Sequence, residues 1–538
     1  MNLAQTQTVT IIALAIFALA MVCIGVFSSL KTKTIDGFLL GNRGIGPWIS
    51  AFAYGTSYFS AVVFVGYAGN HGWNIGIGSM WIGIGNAVLG CLIAWLLLAR
   101  RTRTMTHTLS AKTMPEFFAA RYSSKAMKIF AAIVIFVFLV PYSAAVYNGL
   151  GNMFKAIFPN VGVNTWMLVI AVLTGIYLIL GGYVATAYTD FIQGIIMILG
   201  VFAMVIALVK TDAVGGFTQF WGRLAELPKD HPHGVDGAQL TSIFGGVRFK
   251  DLCYNIMLTS FGTWGLPQMV QKYYAIKDTK SIKQATVIST VFALIIGCGA
   301  YFVGSLSRLV LNNTLPLPEG VTAASATPAQ ITAAVDNVIP NTLLRAFGDA
   351  NMFTTIILAV LLILLLSASM STLSSIVLSS SSAISVDLIP EVKKNAKPEN
   401  QVITTRVLCL IFVGLSYVFA TMKISIIVNI MSFSWGIVAG TFIGPYIWGI
   451  YSKKVTKVGA WAGMIAGFCT VAIPTIILAI NNGGSLLKEA IPAAAKFAPQ
   501  MGVSAMAVSL IVVPIVSAFT KKYDDKFLKS VFAVKEEK

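Results

Sequence analysis

Charge is scarce in this chain. Only 11% of its 538 residues are Asp, Glu, Lys or Arg, against 57% hydrophobic, and the mean hydropathy is +0.80. A soluble domain carries about a quarter charged residues, so a water-facing surface along most of the chain is excluded. Histidine is scarcer still. His71 and His107 stand alone, and His231 and His233 fall in the polar segment 210–246, where they read as solvated residues. The six cysteines (Cys23, Cys91, Cys253, Cys298, Cys409, Cys469) lie singly in or at the ends of apolar runs. That spacing excludes a disulfide framework and a zinc site. No nucleophile–base arrangement, phosphate loop or metalloprotease motif is found, so the chain does not read as an enzyme and calls for no cofactor.

What fills the chain instead is apolar helix-length sequence. Runs of about 20 residues, enough to cross a bilayer, recur at 9–30, 46–68, 76–99, 128–154, 163–184, 188–209, 249–271, 283–307, 351–388, 402–421, 424–450, 457–480 and 501–519. These predict an all-α polytopic membrane protein of about 13 transmembrane helices in one domain, residues 1–538. The first run has no basic residue ahead of it and exceeds the length of a secretory signal core, so it is expected to be retained.

The net charge of +18 would suggest nucleic acid in a soluble protein; here its distribution gives another answer. Numbered from an external N-terminus, alternate loops collect 27 of the 38 Lys and Arg, including Arg43, the stretch from Arg100 to Lys128, Lys272 to Lys283, and the tail 520–538. The excess of positive charge on one side predicts the N-terminus outside and the C-terminus inside, with no nucleic-acid partner.

Two runs carry helix interruptions. The second has Gly55-Thr56-Ser57 at mid-depth, and the seventh has Gly262, Gly265 and Pro267 within six residues. Glycine loosens a helix and proline removes a donor, and unwound backbone at the bilayer centre must be buried in protein or line a polar cavity. The two runs are five spans apart, so each opens a five-helix unit, 46–209 and 249–450. An odd number of spans inverts the second unit, and paired breaks in inverted repeats point to a transporter's central site. A leading helix (9–30) and two trailing helices (457–519) flank the units. The ninth run turns from Leu and Ile to hydroxyls. At about 100° per residue, Ala368, Ser371, Thr372, Ser375, Ser379 and Ser382 share one stripe, with Ser374 beside it. Small hydroxyl residues also let helices pack closely, and the stripe alone does not separate the two roles.

The stretches DGFLLGNRGIGPWISAFAYGTSYFSAVVFVG, TMPEFFAARY, GGYVATAYTDFIQG and ASMSTLSS, in that order, resemble the sodium/solute symporter family. That family includes bacterial proline, pantothenate and sialic acid carriers and the sodium–glucose cotransporters. The likeness covers about residues 35–480. It implies a LeuT-like 5+5 inverted-repeat fold, a plasma (bacterial inner) membrane location, and Na⁺ as the coupling ion. It also implies a main Na⁺ site made by the carbonyls of Thr56, Phe59 and Ala368 and the hydroxyls of Ser371 and Thr372. Sialic acid carriers have a second Na⁺ site, for which Asp190, Ser371, Ser374 and Ser375 are in place here. Asp190 has two readings, an ion ligand inside the membrane or an N-cap of the sixth span.

By register, Tyr54, Tyr58, Val62 and Val63 face the first break, with Met80 and Trp81 on the following span. Tyr142, Thr263, Trp264, Ser434 and Trp435 complete a candidate solute pocket. The family's proline carriers have an aspartate where Tyr58 stands, its sugar carriers a Glu-Gln pair where Val62-Val63 stands, and its sialic acid carriers an arginine absent from the fourth span. The expectation is therefore a Na⁺-coupled symporter, working as a monomer, that imports a small amino acid or short carboxylate. The alternatives are a symporter of a sugar or other solute of the family, or a proton-coupled or antiport carrier. A sensor role is disfavoured, because only about 19 residues follow the last run.

Overall fold

The computed structural model describes residues 3–29, 34–230, 234–347, 352–392, 400–424, 427–481 and 491–533. His231, His233, Lys31 and Lys33 lie outside the described residues, as does the basic stretch 393–399. Among the described residues all regular structure is helical, apart from one isolated parallel bridge between Ile45 and Ile276. Helix is what a bilayer demands, since every backbone group is satisfied within the segment.

Among the described residues, ten helices are long and apolar enough to cross a membrane, against thirteen apolar runs in the sequence. The difference has local causes. The second run divides, with Pro47–Tyr58 ending in extended backbone at Phe59 (φ −103, ψ 110). Helical structure resumes as a π-helical turn, Val62–Tyr67, and then continues into the third run. The seventh run splits into Phe249–Gly265 and Pro267–Ala275 around extended Leu266 (φ −83, ψ 124), each piece too short to qualify. The fifth and sixth runs join as Val163–Val209 across a kink at Gly182. Gly182 has φ 53, and a side chain there would meet the Phe38 carbonyl at 2.6 Å. Both the positive φ and the close approach require glycine.

Burial separates centre from periphery. The apolar window of Ile427–Tyr451 is 94% buried and that of Met352–Val392 is 83%, against 22% for Gln7–Ser28 and 28% for Gln401–Thr421. The first two are the inner helices and the others present apolar surface outward. The helix Met352–Ser382, here the hydroxyl helix, packs against Val163–Val209, Lys125–Ile157 and Pro47–Tyr58.

Loops assigned to one side by the charge count do meet at one end of the bundle. Arg43 donates to the Ala111 carbonyl (2.7 Å), Arg103 to Ile276 (3.0 Å), and Arg121 to Gly449 (2.8 Å) and Ser452 (2.8 Å). Lys128 pairs there with Asp387 (3.8 Å) and Glu391 (3.5 Å). At the opposite end, buried Arg308 pairs with Asp230 (3.1 Å) and donates to the Trp73 carbonyl (2.7 Å).

Candidate cation and solute site

The first break and the hydroxyl helix meet in a knot of oxygens. Thr372 Oγ1 lies 3.1 Å from the Ala368 carbonyl, 3.2 Å from that of Thr56 and 3.3 Å from that of Ser57. Ser371 Oγ lies 3.0 Å from both the Ala368 and Thr56 carbonyls. The cause is local. Beyond the break, the Ala61 N–H turns to Ser369 Oγ (3.3 Å) instead of completing a helical bond to Ser57. That leaves the Ser57 carbonyl free to face the hydroxyl helix. Each hydroxyl has one proton, so two protons serve three carbonyls, and lone pairs remain unmatched. A hard monovalent cation, which seeks oxygen ligands, would convert all of these oxygens to ligands at once. Of the residues expected at the main site, the contacts join Thr56, Ala368, Ser371 and Thr372. Phe59 stands at the break itself, and among the described residues no hydrogen bond ties it to the hydroxyl pair.

The residues of the second expected site are arranged differently. Asp190 is fully buried inside Val163–Val209, eight residues past the Gly182 kink, so it is not a helix cap. Facing it is Lys272, 3.8 Å from Oδ2 and 1% exposed. The same ammonium donates to Ser375 Oγ at 3.0 Å, which in turn lies 2.7 Å from Ser57 Oγ. Ser374 turns away, donating to the Ser371 carbonyl on its own helix (2.9 Å). Sequence reasoning counted Lys272 as a loop charge because the seventh apolar run ends just before it. In the structure the piece that begins at Pro267 continues as helix to Ala275 and carries Lys272 inward.

The expected solute residues form one connected group and several outliers. Tyr58 stacks near Trp435 (6.0 Å between centroids), and Tyr142 meets Trp435 edge-on (5.7 Å). Tyr58 donates to the Thr259 carbonyl (2.7 Å), linking the two broken helices. The third run is π-helical over Asn86–Ile93, a form that frees carbonyls. The carbonyl of Gly90 accepts from Tyr54 (2.7 Å) and Thr263 (3.2 Å), and that of Leu89 from Trp264 Nε1 (3.0 Å). Val62 and Val63 are buried in the π-helical turn after the break. Ser434 donates to the Phe138 carbonyl, which ties it to the fourth span. Met80 is half-buried at the head of its helix. Trp81, expected in the pocket, stands apart, 36% exposed and stacked on exposed Phe244 (5.9 Å), just after the 3-10 turn Gly76–Ser79. Among the described residues, the buried Gln268 amide just past the second break lacks a hydrogen-bond partner.

A family profile, the sodium:solute symporter family, matches residues 38–467. The chain belongs to that family. Its relatives include the osmoregulated proline transporter of Bacillus subtilis (strain 168), 27% identical over 470 residues that cover 86% of this chain and 88% of that one. The sodium/proline symporter of Escherichia coli (strain K12) is 27% identical over 472 residues, covering 87% and 88%. Among solved structures, a substrate-bound, outward-open Na⁺-coupled sialic acid symporter aligns over 96% of this chain and 98% of its own with a TM-score of 0.75, at 18% identity. The symporter therefore shares that LeuT-like fold. As a family member it is a multi-pass membrane carrier, not an enzyme, with Na⁺ as coupling ion and a small solute as cargo.

Proposed function

We propose that this symporter imports a small amphipathic solute, an amino acid or a short carboxylate, together with Na⁺ bound at Thr56, Phe59, Ala368, Ser371 and Thr372. The observation that carries the reading is the excess of oxygen lone pairs over protons where Ser371 and Thr372 face the carbonyls of Thr56 and Ser57. Solute then contacts Tyr58, Tyr142 and Trp435, whose apolar faces suit a hydrocarbon side chain and whose polar edges suit its head group. The pocket is neutral. Helix-terminal N–H groups at the two breaks, rather than a charged side chain, would meet a carboxylate. Proline, the cargo named for the relatives above, is the first amino acid to test. Transport proceeds by alternating access around the two broken helices, with the N-terminus outside and the C-terminus inside the plasma membrane. The monomer is the working unit.

The test is a thermal-shift screen of the purified protein against amino acids, carboxylates and sugars, in NaCl and in choline chloride. A ligand stabilises by RT ln(1 + [L]/Kd), about 2.7 kcal/mol at a hundredfold excess over Kd. Stabilisation by an amino acid or carboxylate in NaCl alone is the expected result. Stabilisation by sugars only, or equal stabilisation in both salts, would remove the proposal.

A further inference from the structure

The second cation position already contains a cation, and it is covalently part of the chain. Lys272 reaches from Pro267–Ala275, past the second break, into a space bounded by Asp190, Ser375 and Tyr183. Its ammonium is 3.8 Å from the Asp190 carboxylate, donates to Ser375 Oγ at 3.0 Å, and lies 5.0 Å from the centre of the Tyr183 ring. Both members of the ion pair are withdrawn from solvent, with side-chain exposures of 1% and 0%. An aromatic face is a good neighbour for an ammonium, yet it offers no oxygen to a metal ion.

We propose that the Lys272 ammonium takes the place of a second Na⁺, so that the symporter binds and moves one Na⁺ per cycle. This rests on the reading of the main site given above. The buried carboxylate of Asp190 is already compensated, so a Na⁺ added beside it would meet a like charge with no anion left to balance it. Ser375, the hydroxyl that would ligate such an ion, is engaged by the ammonium, and Ser374 is bonded within its own helix. The tethered charge also reaches the main site. From Ser375 the contacts run to Ser57 Oγ (2.7 Å), and the Ser57 carbonyl is one of the three that face Thr372 (3.3 Å). Lys272 thus joins both broken helices, the kinked helix and the hydroxyl helix around a charge that never leaves.

The measurement is equilibrium binding of radioactive Na⁺ to the full-length protein in lipid nanodiscs, read as ions bound per protein. The proposal expects one Na⁺ in the wild type, two in Lys272→Gln, and one again in Lys272→Gln/Asp190→Asn, where no buried charge is left unpaired. Two ions in the wild type, or one in folded Lys272→Gln, overturns it. Where Lys272→Gln is too unstable for a count, its melting temperature decides: NaCl over choline chloride should raise it more than in the wild type, and an equal rise overturns the proposal. Where the variant does not fold in either salt, the wild-type count decides alone, one supporting and two overturning. Failure of the main site is separable. If the wild type binds no Na⁺, that reading falls, while the Lys272 proposal still requires Lys272→Gln to gain one ion that Asp190→Asn removes.

Discussion

Removing the Thr372 hydroxyl tests the oxygen knot most finely. Thr372→Val keeps the branched shape but takes away the oxygen that lies within 3.3 Å of three carbonyls. Two effects follow, and they separate. Without Na⁺, the Ser57 carbonyl loses the hydroxyl that faces it while Ala61 N–H still points to Ser369. An unpaired buried acceptor costs about 1–3 kcal/mol, so the protein melts lower in choline chloride. With Na⁺, the ion loses one ligand oxygen, a contact of about the same 1–3 kcal/mol. That corresponds to a roughly 5- to 150-fold weaker Na⁺ affinity. Ser371→Ala should behave alike, and Thr372→Ser, which keeps the oxygen, should remain close to wild type. The assay is a Na⁺ titration of melting temperature, with choline replacing Na⁺ to hold ionic strength constant. The basal drop reports the acceptor and the displacement of the midpoint reports the ion. A basal drop with an unmoved Na⁺ midpoint in both variants would refute the assignment, leaving the hydroxyls as packing groups.

Three further outcomes are expected. Arg308→Met should destabilise the protein by about 3–5 kcal/mol, because it leaves the buried Asp230 carboxylate without its guanidinium, and adding Asp230→Asn should recover part of the loss in chemical denaturation. Asp336, in the outer helix Pro328–Asp336, accepts from Ile427 N–H (3.3 Å), and burial raises its carboxyl to about 7. The folded state then holds a proton that the unfolded state releases near its usual value of about 3.9. This contribution to stability is full below that value, declines with rising pH, and is gone above about pH 7; Asp336→Asn should flatten the melting profile over that window. In a background lacking the native cysteines, Lys125→Cys should resist impermeant thiol reagents in intact cells while Ala238→Cys labels; the reverse pattern would invert the topology.

The sequence carried the positions of both breaks to within a few residues, but not the reason for each glycine. Gly55 stays helical, and the chain unwinds at Phe59 and Ser60 instead. A side chain at Gly55 would meet the Phe292 ring at 2.4 Å, and one at Gly262 would meet Trp435 at 2.8 Å. Those glycines therefore mark close packing, while Pro267, which lacks a donor, marks the second break itself. The hydroxyl stripe was legible because helical periodicity alone aligns Ala368, Ser371, Thr372 and Ser375. Its partner on the first break was legible only through family likeness, since no local pattern says which carbonyl a hydroxyl will face. Lys272 was hidden because a lysine at the end of an apolar run looks like any loop charge; only tertiary packing against Asp190 reveals it as buried. Trp81 went the other way: named for the pocket, it stands partly exposed and stacked on Phe244.

Solute uptake into proteoliposomes tests the central claim most directly, using the labelled solute that the stabilisation screen identifies. The account predicts accumulation against its gradient when Na⁺ is higher outside than inside. It predicts none when K⁺ replaces Na⁺ or when only a proton gradient is imposed, and none with Na⁺ in Ser371→Ala/Thr372→Val at Na⁺ concentrations that saturate the wild type. Accumulation driven by protons alone, or undiminished in that double variant, would contradict it.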